Sequence, residues 1–183
     1  MITTARLELR PPAEDDLPWI LQHMNTLGVM RHLGGVRSVT QVAAELEDSV
    51  AAFAKAGYGR WTVWLRDDDR RIGRTGLFHI ATDAAPATLR GQLVIGWTLA
   101  LDCWWQGFAS EAARAVIDYG FGTLGHSALY AQTSDSNAAS TRMMTRLGFV
   151  RLPEWGYIDP DYPAADNPTT VYRLAPSAWE AHL

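Results

Sequence analysis

The sequence contains little cysteine, no long apolar run and no excess of positive charge. Cys103 is the only cysteine, so no intrachain disulfide can form, which fits a reducing compartment. No apolar run reaches the roughly 20 residues that a helix needs to cross a bilayer. Residues 1–6 also lack the apolar segment of a secretory signal. These absences predict a cytoplasmic protein without a membrane partner.

Charge and histidine usage exclude two further classes of protein. The 16 Lys and Arg residues are outnumbered by 20 Asp and Glu residues, for a net charge of -4, so no nucleic-acid partner is expected. The five histidines are scattered without the spacing of metal ligands, and no metal is expected. With 183 residues, 48% of them hydrophobic, the chain suits one well-buried domain over residues 1–183 and is short for two.

A glycine turn between a strand and a helix is the most informative local feature. An apolar strand is predicted over residues 93–101, and the turn at 104–111 opens a helix predicted from Gly107 to about Phe121. Gly107 lets the backbone approach a ligand closely. The first amides of a helix have no intrahelical partner and carry partial positive charge, so they suit a pyrophosphate. The alternative is an ordinary turn followed by a helix whose small residues pack closely.

A second motif makes the turn more specific. Residues 137–149 predict a short helix with a polar start at Asn137 and a glycine stop at Gly148. The glycine turn with Glu111-Ala112, followed by Asn-x-x-Ser-x-Arg and Leu-Gly-Phe, resembles the GNAT acetyltransferase superfamily, in particular the branch related to ribosomal-protein N-terminal acetyltransferases. The opening segment at 5–11 and the closing segment at 171–174 are similar to the same branch.

The resemblance implies a single-domain α/β fold with a mixed, mostly antiparallel sheet flanked by helices. The family's sheet is splayed between its fourth and fifth strands, which correspond here to the strands that begin near Leu93 and Ala128. Periodicity adds a helix behind residues 14–16, a second helix from Ser38 to Gly57 with capping-box spacing, and strands at about 61–66 and 71–80. Residues 81–92 are predicted to be a loop.

The resemblance also implies acetyl-CoA as cosubstrate and a set of residues that bind it. The family pairs its fourth strand with the pantetheine arm and places the pyrophosphate on the glycine turn. Trp105 replaces the branch's extra glycine, which removes conformational freedom from the turn. The implied cofactor-binding residues are Trp97, Thr98, Leu99, Trp104, Trp105, Gln106, Gly107, Phe108, Ala109, Ser110, Asn137 and Arg142.

The implied chemistry is acetyl transfer from a thioester to an amine. In this branch the helix serine is the proposed acid for the leaving thiolate, which corresponds to Ser140, and Asn137 contacts the pantetheine arm; plain helix capping by both residues is the alternative. Val94 stands where relatives often carry a glutamate. A base could instead be His79, Asp159 or Asp161, or a chain of waters. Glu111 is expected to stabilise the first helical turn, and Cys103 is expected to be a half-buried structural thiol rather than a nucleophile.

The acceptor side is the least determined part of the chain. Aromatic residues fall where the family builds its acceptor groove, and two of them are expected to line it. The segment 153–163 is predicted to be a loop that acts as an acceptor-side lid or as a contact in a homodimer. The aromatic candidates for the groove are Tyr58, Trp61, Trp97, Trp155 and Tyr157.

An amine-specific acetyltransferase is the favoured function. A CoA-binding module without catalysis and a non-enzymatic interaction domain are the alternatives.

Overall fold

The computed structural model describes residues 1–80 and 82–181, which contain eight strands in one mixed sheet. The strands are β1 Ile2–Thr3, β2 Leu7–Arg10, β3 Arg60–Leu65, β4 Arg70–His79, β5 Leu93–Leu99, β6 Leu129–Ser134, β7 Val150–Tyr157 and β8 Thr169–Leu174. Their order across the sheet is β1-β2-β3-β4-β5-β6-β8-β7.

Six α-helical segments accompany the strands, with shorter 3₁₀ and π turns beside them. No helix of the described residues is long and apolar enough to cross a membrane. The helices are α1 Leu17–Trp19, α2 Leu27–Met30, α3 Val39–Ala56, α4 Phe108–Asp118, α5 Ala138–Arg146 and α6 Pro176–Glu180. The π turns are Ile20–Met24 and Tyr119–Thr123, and the 3₁₀ turns are Glu14–Asp16, Leu101–Cys103 and Ala164–Asp166.

The predicted α/β class and the mixed, mostly antiparallel sheet are confirmed. Strand β5 runs parallel to β6 and is in register with it at Val94 and Tyr130. By contrast, β6 and β8 pair antiparallel along the whole length of β6, from Leu129↔Leu174 to Ser134↔Thr169. This short parallel pairing lies where the resemblance implies that the sheet is splayed.

The chain divides into two compact units. The first contains residues 1–77 and 97–116, and the second contains residues 78–96 and those from 117 onward. In the first unit, α3 begins with a capping box between Ser38 and Gln41 and ends at Gly57, whose φ is 75°. The apolar face of α3 packs with the first helical segments in a cluster of Ile20, Met24, Val29, Val42, Leu46 and Ala100.

The second unit has its own apolar core. It is built from β5, β6, β7 and β8 together with the segment after β4, and its buried residues are Ile80, Ala85, Leu89, Val94, Tyr130, Tyr157 and Val171. Helix α5 stops at Gly148, which takes the predicted left-handed conformation with φ 85°. Trp179 of α6 fixes the C-terminal turn by donating from Nε1 to Asp118 Oδ1 at 2.7 Å.

The helix predicted behind residues 14–16 is present as α1 followed directly by the π turn Ile20–Met24. Two local predictions were wrong. The predicted strand 93–101 ends at Leu99 because Leu101–Cys103 forms a 3₁₀ turn. The predicted loop at 153–163 begins in β7, which extends to Tyr157. Because β7 lies at the edge of the sheet, Pro153 is tolerated there, within an irregular stretch between Leu152 and Tyr157.

Candidate functional site

The glycine turn is built in the first unit from the end of β5 to the start of α4. The amide of Ala100 donates to Ile72 O at 2.9 Å, and the carbonyl of Thr98 lies against Gly73 of β4. Backbone groups of successive strand residues point to opposite edges. The backbone N–H and C=O groups of Trp97 and Leu99 therefore point to the edge of β5 that faces away from β4. The Leu99 carbonyl accepts a hydrogen bond from Trp104 Nε1 at 2.8 Å.

Two residues of the turn have left-handed backbones. Gly107 has φ 82°, a conformation that glycine adopts without cost. Trp105 has φ 63° and its side chain is 79% exposed. Trp105, which the resemblance places at a glycine position, therefore has a glycine-like backbone and an exposed side chain. Helix α4 begins with the bond from Glu111 N to Gly107 O at 3.0 Å, which leaves the amides of 108–110 without intrahelical acceptors.

The N-terminal segment braces this turn. The Glu111 carboxylate accepts from Thr4 Oγ1 at 2.6 Å, from the Arg6 amide at 2.9 Å and from Arg6 Nε at 2.7 Å. Arg6 Nη1 also donates to Gln106 O at 3.1 Å, and its guanidinium lies 4.4 Å from the centre of the Phe108 ring. Arg6 therefore touches three residues of the turn. Sequence reasoning missed it because its partner Glu111 is 105 positions away.

The electrostatics at Glu111 favour its ionised form. Partial burial by itself raises the pKa of Glu111, but the hydrogen bonds from Thr4 and Arg6 outweigh this effect and hold the pKa below its ordinary value. A carboxylate in the first turn of α4 also interacts favourably with the helix dipole. Glu111 thus stabilises the helix start, as predicted, and in addition fastens the N-terminal segment to the turn.

Cys103 lies close to the turn but is more buried than predicted. Its exposed fraction is 1%, and its sulfur lies 3.7 Å from Arg70 Nη1. Burial, with the neighbouring Asp102 carboxylate, raises the pKa of the thiol. A thiol held protonated is a poor nucleophile, which supports the structural role.

The predicted groups of α5 lie in the second unit. Asn137 is the N-cap of α5, and its Oδ1 accepts from Ser140 N at 3.2 Å. This is the capping geometry of the alternative prediction. Ser140 is half-buried, and no hydrogen bond of its hydroxyl is found among the described residues. Arg142 lies on the exposed side of the helix.

The candidate bases also lie in the second unit. His79 ends β4, and its Nδ1 lies 2.9 Å from Gly91 O. A carbonyl oxygen only accepts, so Nδ1 donates this hydrogen bond, and a neutral form of the ring has its lone pair on Nε2. Asp159 is 6% exposed and accepts from Asp161 N at 3.1 Å, whereas Asp161 is exposed. Val94 is buried in the apolar core, so that position supplies no carboxylate.

The aromatic candidates separate into core and surface. Trp61 is 1% exposed and packs edge-on against Phe53 with ring centroids 5.4 Å apart, so among the five candidates it belongs to the core. Tyr157 is also buried, and burial raises its pKa to about 12. Trp155 stacks on Tyr130 at 5.4 Å. Tyr58, Trp97 and Trp155 are half-buried and keep the partial exposure that a groove wall needs.

An open depression of about 250 Å³ lies elsewhere in the first unit, between the start of the first helical segment and α3. None of the predicted site residues lines it. Its walls are Glu14, Leu17, Ala43, Leu46 and Glu47.

Comparison with known proteins identifies the family. Residues 6–150 match the acetyltransferase (GNAT) domain family. The chain is 30% identical over 153 residues to the uncharacterized N-acetyltransferase YoaA of Bacillus subtilis, covering 82% of this chain and 83% of that protein.

Solved structures share the same fold. The crystal structure of an acetyltransferase from Agrobacterium tumefaciens has a TM-score of 0.76 at 27% identity and covers 94% of this chain and 92% of its own. The aminoglycoside acetyltransferase AAC(6')-Ib in complex with coenzyme A has a TM-score of 0.75 at 19% identity, with coverage of 96% and 97%. The predicted family is thereby confirmed, while the ribosomal-protein branch stays a prediction. The chain belongs to the GNAT acetyltransferases and is an acyltransferase that uses acetyl-CoA.

Proposed function

We propose that the protein moves the acetyl group of acetyl-CoA directly to a primary amine, either a peptide N-terminus or a small molecule. The observation that carries the proposal is the turn before α4. Its left-handed Gly107 and the amides of residues 108–110 at the helix start form an anion cradle. A phosphate there also meets Arg6, whose Nη2 would lie 3.4 Å from a Cβ at Gly107.

The backbone of β5 limits which groups can pair with the pantetheine arm. The Thr98 carbonyl lies against β4, and the Leu99 carbonyl already accepts from Trp104. We therefore assign pantetheine pairing to the backbone of Trp97 and to the amide of Leu99. Thr98 contributes to binding of the pantetheine arm through its half-buried side chain.

The reaction requires one proton to leave the amine and one to reach the leaving sulfur. A neutral amine nitrogen attacks the thioester carbonyl, the C–S bond breaks, and the amide product loses the extra proton to a base. His79 is the proposed base because the bond from Nδ1 to Gly91 O leaves Nε2 as the nitrogen that would accept the proton. Ser140 is the proposed acid for the CoA thiolate, and Asn137 orients that serine through the cap it makes to its amide.

Thermal unfolding with acetyl-CoA tests the cofactor site. At about 100 times the dissociation constant, linkage predicts about 2.7 kcal/mol of stabilisation. Arg6→Ala should weaken acetyl-CoA binding, whereas Arg90→Ala, an exposed arginine that pairs with Asp83, should leave it unchanged. Absence of any shift in a cooperatively unfolding protein would overturn the proposal.

Release of free thiol with a panel of amines tests catalysis. Ser140→Ala should lower kcat about 10²-fold or more, which is the scale of positioned acid–base catalysis. Thr145→Ala is the matched control, since it removes an exposed hydroxyl from the same helix. Asn137→Ser keeps a capping side chain. If it folds normally but loses activity, Asn137 does more than cap α5; if activity is retained, capping is its whole role.

A catalytically silent CoA-binding module is the second candidate, and the burial of Val94 in an apolar core favours it. A module of this kind would show the acetyl-CoA shift without thiol release from any amine. For the enzyme, the pH profile of kcat/KM tests the base. A rising limb that is lost in His79→Gln supports histidine as the base.

A further inference from the structure

We propose that Asp166 is a positioning residue for the reaction: it fastens the segment 158–168 to the turn before α5 and thereby sets the orientation of Ser140, the proposed acid. The inference rests on the proposed function and deepens it, since it names a residue that acts through α5 rather than on the substrate. Asp166, the turn and α5 all belong to the second unit.

Asp166 is buried against two serine hydroxyls of the turn. It lies in the 3₁₀ turn Ala164–Asp166 and is 4% exposed. Its Oδ1 accepts from Ser136 Oγ at 2.6 Å and from Ser134 Oγ at 3.2 Å, and the two serine oxygens lie 2.7 Å apart. Burying a carboxyl group is costly unless hydrogen bonds satisfy it, and a satisfied buried network fixes one arrangement of its members. These contacts therefore hold the turn in one place.

The turn sets where α5 begins. Ser134 is the last residue of β6 and Asn137 is the N-cap of α5, so only two residues separate them. The Asn137 amide donates to Ser134 O at 3.1 Å, and Asn137 Oδ1 accepts from Ser140 N at 3.2 Å. A short chain of hydrogen bonds thus runs from Asp166 through Ser134 and the cap to the proposed acid.

The residue between the two serines gives the turn a second, weaker anchor. Asp135 Oδ1 accepts from Thr170 Oγ1 of β8 at 3.0 Å, and its Oδ2 accepts from Arg151 Nη2 of β7 at 2.7 Å. Both side chains of the Asp135–Arg151 ion pair are exposed, and exposed ion pairs contribute little. The buried Asp166 is therefore the residue expected to hold the turn most firmly.

Asp166 joins the turn to a segment that is already closed on itself. The side chain of Asn167 accepts from Asp159 N at 2.9 Å and donates to the carbonyl oxygens of Asp159 and Tyr162 at 3.0 and 2.9 Å. This segment overlaps the predicted acceptor-side loop at 153–163. An acceptor that contacts it would therefore be linked to α5 through Asp166.

Hydrogen exchange of backbone amides tests the positioning without turnover. The amides of residues 140–141 bond to Asn137, so their exchange reports how firmly the start of α5 is held. We expect Asp166→Ala and Ser136→Ala to speed this exchange. Asp83→Asn, at an exposed carboxylate of the same unit, should leave it unchanged. Wild-type exchange in Asp166→Ala, or in Ser136→Ala if Asp166→Ala does not fold, would overturn the inference.

Kinetic coupling separates positioning from a general loss of stability. At a temperature where every variant is folded, Asp166→Ala should lower kcat about tenfold, because a misplacement of about 1 Å can cost about 10²-fold. Asp166→Asn keeps an acceptor oxygen and should restore most of kcat. In a Ser140→Ala background, Asp166→Ala should change kcat little, since the group that it positions is gone. Equal fold losses in both backgrounds would refute the positioning role.

Thiol release by the wild type keeps this inference separate from the proposed function. Absence of release with every amine would refute the proposed function, and the exchange measurement would still decide whether Asp166 holds the start of α5. In an active enzyme, Asp83→Asn should keep the wild-type kcat.

Discussion

The left-handed backbone of Trp105 makes a sharp prediction about stability. A non-glycine residue in this region costs about 1–2 kcal/mol, and the Trp105 ring is 79% exposed, so the side chain recovers little of that cost by burial. Trp105→Gly removes the strain but adds about 0.5–1 kcal/mol of chain entropy to the unfolded state. Trp105→Ala removes the ring and keeps the strain.

The difference between these two variants isolates the backbone effect. We expect Trp105→Gly to be more stable than Trp105→Ala by about 1 kcal/mol, the balance of strain and entropy. For a chain of this size, that difference corresponds to a Tm shift of roughly 2–4 °C. Urea unfolding with a shared m-value gives the free energies directly.

Glycine variants elsewhere serve as matched controls. Gly107→Ala, at φ 82°, should destabilise the protein by about 1 kcal/mol because alanine meets the same left-handed penalty. Gly122→Ala should not, since a Cβ there meets nothing within 4 Å and its φ is ordinary. Equal stability of Trp105→Gly and Trp105→Ala would refute the reasoning. Acetyl-CoA affinity adds a second readout: if the ring crowds the cradle, both variants bind more tightly.

Two further predictions concern carboxylates, one introduced into the core and one already hydrogen-bonded at Glu111. Val94→Glu should lower the free energy of unfolding at pH 7 by more than about 2 kcal/mol, because it buries a charge in the apolar core. The loss should shrink at pH 4, where the carboxyl is neutral, and urea unfolding at pH 7 and pH 4 checks it. Since the pKa of Glu111 is below its ordinary value, its stabilising contribution is present above about pH 4.3 and is lost as pH falls through the folded-state pKa. Glu111→Gln should therefore be less stable than the wild type at pH 7, with the difference disappearing toward pH 3 in a pH series of unfolding curves.

Local signals in the sequence predicted the parts of the fold that are fixed by short-range chemistry. The Ser38 capping box, the stop at Gly57 and the stop at Gly148 are each determined by a few neighbouring residues. Hydrophobic alternation likewise located β2 through β5 to within a few residues. Short-range chemistry did not predict the π turn at Ile20–Met24, because nothing in the local pattern distinguishes it from a regular helix.

Long-range partners limited the prediction of the site. The brace from Arg6 to Glu111 joins positions 105 residues apart, so no local pattern in the sequence pairs them. Tertiary context also decided the fate of Trp61, which the pattern allowed as a groove residue and the structure buries. The turn itself was predictable because one short segment carries both its glycine and its helix.

The two halves of the proposed reaction therefore place different demands on the chain. The proposed cofactor cradle depends on backbone amides and on φ values, so we expect it to tolerate Trp105 in place of a glycine provided that the left-handed conformation is kept. Acceptor choice depends on side chains, and their roles follow only from the placement of every neighbour. Substitutions that change the φ of residues 105 and 107 should consequently alter how tightly acetyl-CoA is held, whichever amine is offered.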